Sequence, residues 1–423
     1  MVRVLITCYP VTSHFYVLVP LAWALRTAGH EVVVAARPDI HDDIVKAGLT
    51  AVTVGDEMDM TRLVSSLDEL PDDGTPYGMG YDIAETRPEL LTLDYVKGAL
   101  GLHCCIIPDY LANEAMLTDL VAFAEHWKPD LVIWDFLTFP GPITAKAVGA
   151  AHARVLVGVD HAMRMRARFH ELRAQDPDGP QDDPVADWLA ARGAPFGVDF
   201  DEELLTGQVT LDPYPPFLSI PLDLPTVPVR FTSYNGSSTY PDWLLEPPTR
   251  KRVCLSLGAS SRVAGVHDTD KIQQLLRAMG ELDAEVIATL NADQLQGVTV
   301  PDNVRVFDFV PLNALLPSCD AIVNHVGYGT MGTALIHGVP QVMAPENLWG
   351  ESMLARRIEE RGAGICIPPD EVTPESIAGA LRRVLEDPSF KTAAEQLQKD
   401  QQTVPTPAEA VHELERLVER RRR

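Results

Sequence analysis

Apolar and polar positions run along the chain in two rounds of the same rhythm. An apolar, β-branched run opens at "RVLITCY" (3–9) and another at "RVCLSL" (252–257), and each ends in a loop of small residues, "CYPVTSH" and "SLGASSR". Runs of this kind predict the first strand of a doubly wound sheet, so the pattern predicts two of them. After the second opening the periods alternate: helix 271–282, strands 284–290 and 304–310, helix 312–319, strand 321–326, helix 330–338, strand 340–345. Short buried strands with helices between them mean a parallel sheet joined by right-handed crossovers. The first half predicts strand 3–9, helix 18–28 and strands 31–37 and 130–136. Between 56 and 128 the spacing is helical and longer than one βαβ unit needs, with a break at Pro108. That block reads either as core helices or as an inserted docking surface for a partner. Prolines crowd 212–231 and 245–252, and because proline cannot donate to a ladder, this stretch reads as a linker. The division expected is an N-terminal domain 1–215, a linker 216–250, a C-terminal domain 251–404 and a terminal helix 405–423 returning to the N-terminal domain.

Composition sharpens this picture in a few places. At 423 residues the chain exceeds one ordinary core, and two domains of about 200 residues are expected. It is 46% hydrophobic and 22% charged, without a 20-residue apolar run. The opening "MVRVLITCYP" lacks a signal-peptide apolar region and reads as a strand. Cys8, Cys104, Cys105, Cys254, Cys319 and Cys366 are scattered without CxxC spacing, as expected of reduced, core-filling thiols in a cytoplasmic protein. A net charge of −25 argues against nucleic acid and anionic membranes as partners; the basic "ERRRR" end reads as a solvated terminus. No metal is expected. Three D-x-D matches (176–178, 199–201, 268–270) fall in polar loops, and neither cysteines nor histidines show zinc spacing.

The densest motif is "VNHVGYGTMGTALIHGVPQVMAPE" (323–346), a literal G-x-G-x-x-G over Gly327, Gly329 and Gly332 with Glu346 nineteen residues beyond the first glycine. On spacing alone this is a dinucleotide fingerprint. Its setting disagrees: it follows a late strand rather than the first of its sheet, and the helix behind it is short. What the loop supports is more general. Glycines let backbone N–H groups approach a diphosphate, and the helix N-terminus favours its charge. His325 and Thr330 flank that cradle and can add hydrogen bonds to phosphate oxygens.

The run H-x-G-x-G-T-x-x-x-A-L-x-x-G-V-P-Q over 325–341 resembles the nucleotide-sugar signature of the GT-B glycosyltransferases of family 1, and "SHFYVLVPLAWALRTAGHEV" (13–32) resembles that family's acceptor-domain opening. "HARVLVGVDH", "FDEELLTGQVTLDPYP", "YNGSSTYPDWL" and "RRVLEDP" narrow the resemblance to the macrolide and polyketide antibiotic glycosyltransferases that transfer deoxyamino sugars, such as desosaminyl- and forosaminyltransferases. The resemblance covers nearly the whole chain. It implies a GT-B fold of two Rossmann-like domains facing across a cleft, and an inverting transferase that moves a deoxy(amino) sugar from dTDP to a hydroxyl of an apolar polyketide without metal or other cofactor. His14 falls at the position of the catalytic base, and Asp135 at that of the carboxylate that orients it. A histidine near neutral pKa suits the base role, and the carboxyl edge of a sheet is where α/β proteins bind ligands. The competing readings are a surface or cap histidine and a helix-capping carboxylate.

On the donor side the resemblance places Gly258, Ser260, Ser261 and Arg262 beside the phosphates and Phe309-Val310-Pro311 in the base-binding loop, though Phe309 also suits an ordinary core aromatic. Gly327 and Gly329 belong to the phosphate cradle. Where relatives grip sugar hydroxyls with Asp-Gln or Trp-Asp-Thr, this chain has Trp349-Gly350-Glu351. Loss of a carboxylate at 350 fits a donor with fewer hydroxyls, and Glu351 either substitutes for it or meets an amino group. The stretch 160–175 is a candidate acceptor wall or a plain amphipathic helix. The resemblance further implies a cytochrome-P450-like auxiliary activator, for which 56–128 is the expected docking surface, and it admits a homodimer. Two alternatives stand beside it: a GT-B-fold epimerase or NAD-dependent enzyme, and a catalytically silent partner of an antibiotic glycosyltransferase.

Overall fold

The computed structural model describes residues 1–58, 79–258, 269–346 and 349–422. Two compact units emerge, Met1–Arg230 with Pro405–Arg423, and Phe231–Val404.

The first unit is built on a parallel sheet of β1 (Arg3–Thr7), β2 (Glu31–Ala36), β3 (Thr50–Thr53), β4 (Leu131–Asp135), β5 (Ala151–Val155), β6 (Thr210–Asp212) and β7 (Thr226–Pro228), in the order β3-β2-β1-β4-β5-β6-β7. The order reverses between β1 and β4, so the crevice for a ligand lies where those two strands end. Both strands are apolar almost throughout because helices cover both faces of the sheet. On one face Leu5, Val33 and Val132 pack against Met116, Leu120 and Ala124. The last strand, β7, comes from the proline-dense stretch, whose residues 226–228 are therefore not free linker. Pro228 is tolerated because β7 is the edge of the sheet and its missing donor faces no neighbour.

Two local expectations are corrected here. The first helix runs Thr12–Thr27 rather than 18–28, with Pro20 inside it, so His14 stands in the first helical turn and not in the loop before it. The helical block breaks at Ala112 and Asn113, not at Pro108. Pro108 lies within helical backbone that continues from Leu93 to Leu111, directly after a wide π turn at Leu102–Ile106, while the Asn113 side chain accepts from the Met116 amide (3.1 Å) and starts helix Glu114–Trp127 afresh. Much of this block is core: Val96, Leu100, Met116 and Leu117 are buried, while Ile106 and Tyr110 are exposed. Residues 59–78 of the expected docking surface lie outside the described residues. The terminal helix Pro407–Arg422 packs on Thr12–Thr27 and is pinned by His30 Nε2 to Glu415 (3.2 Å).

The second unit carries β8 (Arg252–Ser256), β9 (Glu285–Thr289), β10 (Val304–Phe307), β11 (Ala321–Asn324), β12 (Gln341–Met343) and β13 (Gly364–Cys366), all parallel in the order β10-β9-β8-β11-β12-β13. Here the order reverses between β8 and β11. Helices Thr269–Gly280 and Pro374–Glu386 lay Ile272, Leu276, Met279, Ile377 and Leu381 onto Val253, Leu255, Val286 and Val323. All six cysteines are free thiols; five are buried and Cys366 is half-buried.

Candidate active site

In the first unit the reversal point brings His14 and Asp135 together. Asp135 ends β4 and is fully buried, and its Oδ2 lies 2.5 Å from His14 Nδ1. Its other oxygen accepts from the Leu137 amide at 3.0 Å, which fixes the carboxylate plane. His14 keeps about a fifth of its side chain exposed. Its ring stacks on Tyr9 (4.7 Å between centroids, 19°) and lies parallel to Phe136 (6.4 Å, 5°). With the carboxylate accepting a hydrogen bond from Nδ1–H, the aromatic neighbours hold the ring so that Nε2 is left as the acceptor. Behind the dyad, burial and then the Asp135 charge push the Cys8 thiol well up, so it stays protonated. Tyr9 and Phe136 were not singled out from sequence. Phe136 is adjacent to Asp135 and was findable, whereas no spacing marks Tyr9.

In the second unit the corresponding point holds His325. Asn324 ends β11; its side-chain oxygen accepts from the Val326 amide (2.8 Å) and its amide donates to Gln341 (2.9 Å). This clamp supports Val326 at φ +73°, a left-handed conformation that a β-branched residue adopts only under constraint. The turn presents the His325 ring between two glycines. A Cβ at Gly258 would lie 2.5 Å from Cε1, and one at Gly327 2.6 Å from Nε2. Gly258, at φ +76°, thus serves chiefly to make room for His325. His325 Nδ1 is buried without a hydrogen bond among the described residues. Burial lowers the ring's pKa; Glu346 opposes this and Lys271 adds to it, so His325 is a neutral hydrogen-bonding group near neutral pH. Glu346, the acid that completed the dinucleotide spacing, is paired to Lys271 at 3.2 Å.

Gly327 caps helix Tyr328–Ile336 and Thr330 is buried in its first turn, whose amides an α-helix leaves without intrahelical acceptors. At Gly329 a Cβ would meet nothing within 4 Å, so the approach to that turn is open. Phe309 is 52% exposed, which removes its core reading, while Val310 packs in the core with Leu244, Ile287 and Leu315 and can offer a ligand only its backbone. Gly350 takes φ +83° at the cap of helix Glu351–Glu360, and Glu351 accepts from the Trp349 amide (2.8 Å). Ser260, Ser261 and Arg262 lie outside the described residues. The 160–175 stretch forms helix His161–Gln175, but Met163, Met165 and Phe169 are buried in the protein's own core, as in a plain amphipathic helix. Among the described residues no group of three or more His, Cys, Asp or Glu side chains is placed to hold a metal, and no helix is long and apolar enough to cross a membrane.

Known structures share this fold along nearly the whole chain. Glycosyltransferase VinC in complex with dTDP is 45% identical, with a TM-score of 0.88 over 99% of this chain and 100% of that one. Spinosyn forosaminyltransferase SpnP is 40% identical, with a TM-score of 0.83 over 99% of each. The protein is therefore a glycosyltransferase of the GT-B type. More narrowly, it belongs to the erythromycin biosynthesis protein CIII-like family, whose N-terminal domain matches residues 23–258 and whose C-terminal domain matches 273–417. Among its relatives, the 10-deoxymethynolide desosaminyltransferase of Streptomyces venezuelae is 46% identical over 100% of this chain and 98% of its own. The aclacinomycin-T 2-deoxy-L-fucose transferase of Streptomyces galilaeus is 43% identical over 100% and 97%.

Proposed function

We propose that the protein transfers a deoxysugar from a dTDP-sugar to a hydroxyl of a polyketide, with inversion and with His14 as general base. The observation that carries this reading is the His14–Asp135 contact, which commits Nδ1 to the carboxylate and leaves Nε2 as the proton acceptor. Nε2 takes the hydroxyl proton as the oxygen attacks the anomeric carbon from the side opposite the diphosphate. Asp135 stabilises the imidazolium that forms and keeps its own charge. Inversion follows because the leaving group departs from the far face in a single displacement.

The departing dTDP carries the charge that must be stabilised. The first-turn amides of Tyr328–Ile336, the Thr330 hydroxyl and the neutral His325 ring are the groups suited to it. A helix N-terminus contributes about 0.3–1 kcal/mol to a nearby anion, up to about 2 in partly buried settings, so the side-chain hydrogen bonds are needed as well. dTDP as donor is supported by the dTDP-bound relative, and a polyketide acceptor by relatives named for 10-deoxymethynolide and aclacinomycin. Phe309, exposed next to buried Val310, is the ring assigned to the nucleoside base in this reading, and its exposure supports that role. An auxiliary protein of the cytochrome-P450-like type would dock on the first unit near exposed Ile106 and Tyr110.

The test is direct. Purified protein is expected to be stabilised against heat by dTDP more than by UDP, since a ligand of the folded state raises its stability by RT ln(1+[L]/Kd). Incubated with dTDP-deoxysugars and polyketide aglycones it should form glycoside, and His14→Ala should abolish turnover while dTDP stabilisation persists. His14→Ala with wild-type turnover refutes the base assignment.

A further inference from the structure

A cavity of about 240 Å³ opens in the first unit beside the carboxyl ends of β5 and β6 and the start of β7, outside the dyad. Cavities of about 150 Å³ already admit benzene, so this one has room for a substituted ring. Its lining is mixed: Leu156, Val159, Ile220 and Leu222 give it aliphatic surface, and Asp160 and Asp212 stand among its polar groups. These two carboxylates are differently served. Asp160 is met by the buried Arg154, whose guanidinium donates to both of its oxygens and to Thr210. Asp212 is 8% exposed and, among the described residues, accepts from neutral groups, the Tyr214 amide (2.8 Å) and the Ser219 hydroxyl (2.7 Å). Among the described residues no lysine or arginine forms an ion pair with it. These groups thus set two carboxylates against one guanidinium. A buried carboxylate without a paired cation is costly: burial raises the Asp212 pKa, while the Ser219 and Tyr214 hydrogen bonds and the Arg154 charge only partly offset this and Asp160 adds to it.

Strand register locates the cavity against the dyad. Asp135 pairs with Val155 and Val155 with Leu211, so Asp212 lies one residue beyond the same row, two strands away. At about 4.8 Å per strand this is about 10 Å, roughly the width of a polycyclic or macrocyclic body. We infer that this cavity is a second compartment for the acceptor, taking an apolar, ring-sized appendage that carries a protonated amine and pairing that amine with Asp212. An ammonium supplies the cation that no described residue pairs with Asp212, which a neutral hydroxyl does not, and Leu156, Val159, Ile220 and Leu222 cover the carbon body. The assignment to the acceptor rests on the transferase reading; the chemistry of the cavity does not.

The test uses the full chain and three probes that share one carbocycle: cyclohexylamine hydrochloride, cyclohexanol and cyclohexanecarboxylate, titrated by ligand-observed NMR near neutral pH. The amine should bind at least about tenfold tighter than the alcohol, and the carboxylate should not bind. Asp212→Asn keeps an acceptor for the Tyr214 amide and should erase the preference for the amine. Leu222→Trp, which fills the cavity from its wall, should weaken amine and alcohol alike; circular dichroism and the unfolding midpoint report whether each variant is folded. Alcohol binding as tight as amine, or amine affinity that survives in both folded variants, overturns the inference. The two readings fail separately. Amine binding that obeys these substitutions in a chain without transferase activity keeps the cavity and sinks the transferase. Transferase activity with no amine binding does the reverse.

Discussion

Asp135→Asn isolates what the dyad contributes, because it removes one charge and leaves the shape nearly unchanged. The Asn oxygen can keep the bond from the Leu137 amide that Asp135 now accepts at 3.0 Å. Its NH2 then faces His14 Nδ1, which must accept instead of donate, and the ring proton moves to Nε2. In that tautomer the atom facing the acceptor hydroxyl cannot take a proton. The lost charge-assisted bond, 2.5 Å in the wild type, is worth about 1.5–3 kcal/mol. An imidazolium about 4 Å from a carboxylate at an effective dielectric of about 20 is stabilised by about 4 kcal/mol, which sets the upper end. These two figures describe one interaction and are not summed. A barrier raised by about 1.5–4 kcal/mol slows turnover by about 10- to 1,000-fold. The assay is initial rate of dTDP release with saturating donor and acceptor, run beside dTDP stabilisation of the variant. Stabilisation should be unchanged, since the dTDP groups proposed here belong to the other unit. Turnover within about threefold of wild type would mean that Asp135 neither sets the tautomer nor stabilises the imidazolium.

Three further outcomes are expected. His325→Ala and Thr330→Val should each weaken dTDP binding by about 1.5–3 kcal/mol in calorimetric titration without touching acceptor binding, and Gly258→Ala should do likewise by displacing the His325 ring; normal dTDP affinity in all three refutes the cradle. Burial pushes His103 and His152 down to about 4, against about 6.5 unfolded, so as pH falls the unfolded chain takes up these protons first. Their contribution is complete above about pH 6.5 and is lost towards pH 4, about 3 kcal/mol for each ring, so urea midpoints that do not drop between about pH 7 and pH 5 would refute it. Adding a cytochrome-P450-like auxiliary protein should raise turnover, and Ile106→Glu with Tyr110→Glu should abolish that gain; full activity of the chain alone removes the partner.

Local patterning carried the strands that line each reversal point, because a strand buried on both faces must be an apolar run and "RVLIT", "LVIWD", "RVCLS" and "AIVN" are such runs. It carried the glycine cradle too, since glycine content is a property of a few consecutive residues. It was weaker for the short edge strand β7, whose proline mimics a linker until the edge position explains it, and for the helix start at Thr12, where Pro20 suggests a later beginning. The pairings that make the sites were not in the pattern at all. His14 and Asp135 stand 121 residues apart and meet only because β1 and β4 are neighbours in the sheet. Gly258 and His325 meet because β8 pairs with β11, and that contact shows Gly258 leaving space for a histidine ring, which its spacing alone did not indicate. Whether Phe309 faced solvent or core depended likewise on which neighbour Val310 packed against. Periodicity records which face of an element is apolar; strand order, decided by how two whole sheets bury those faces, chooses which distant side chains share an edge.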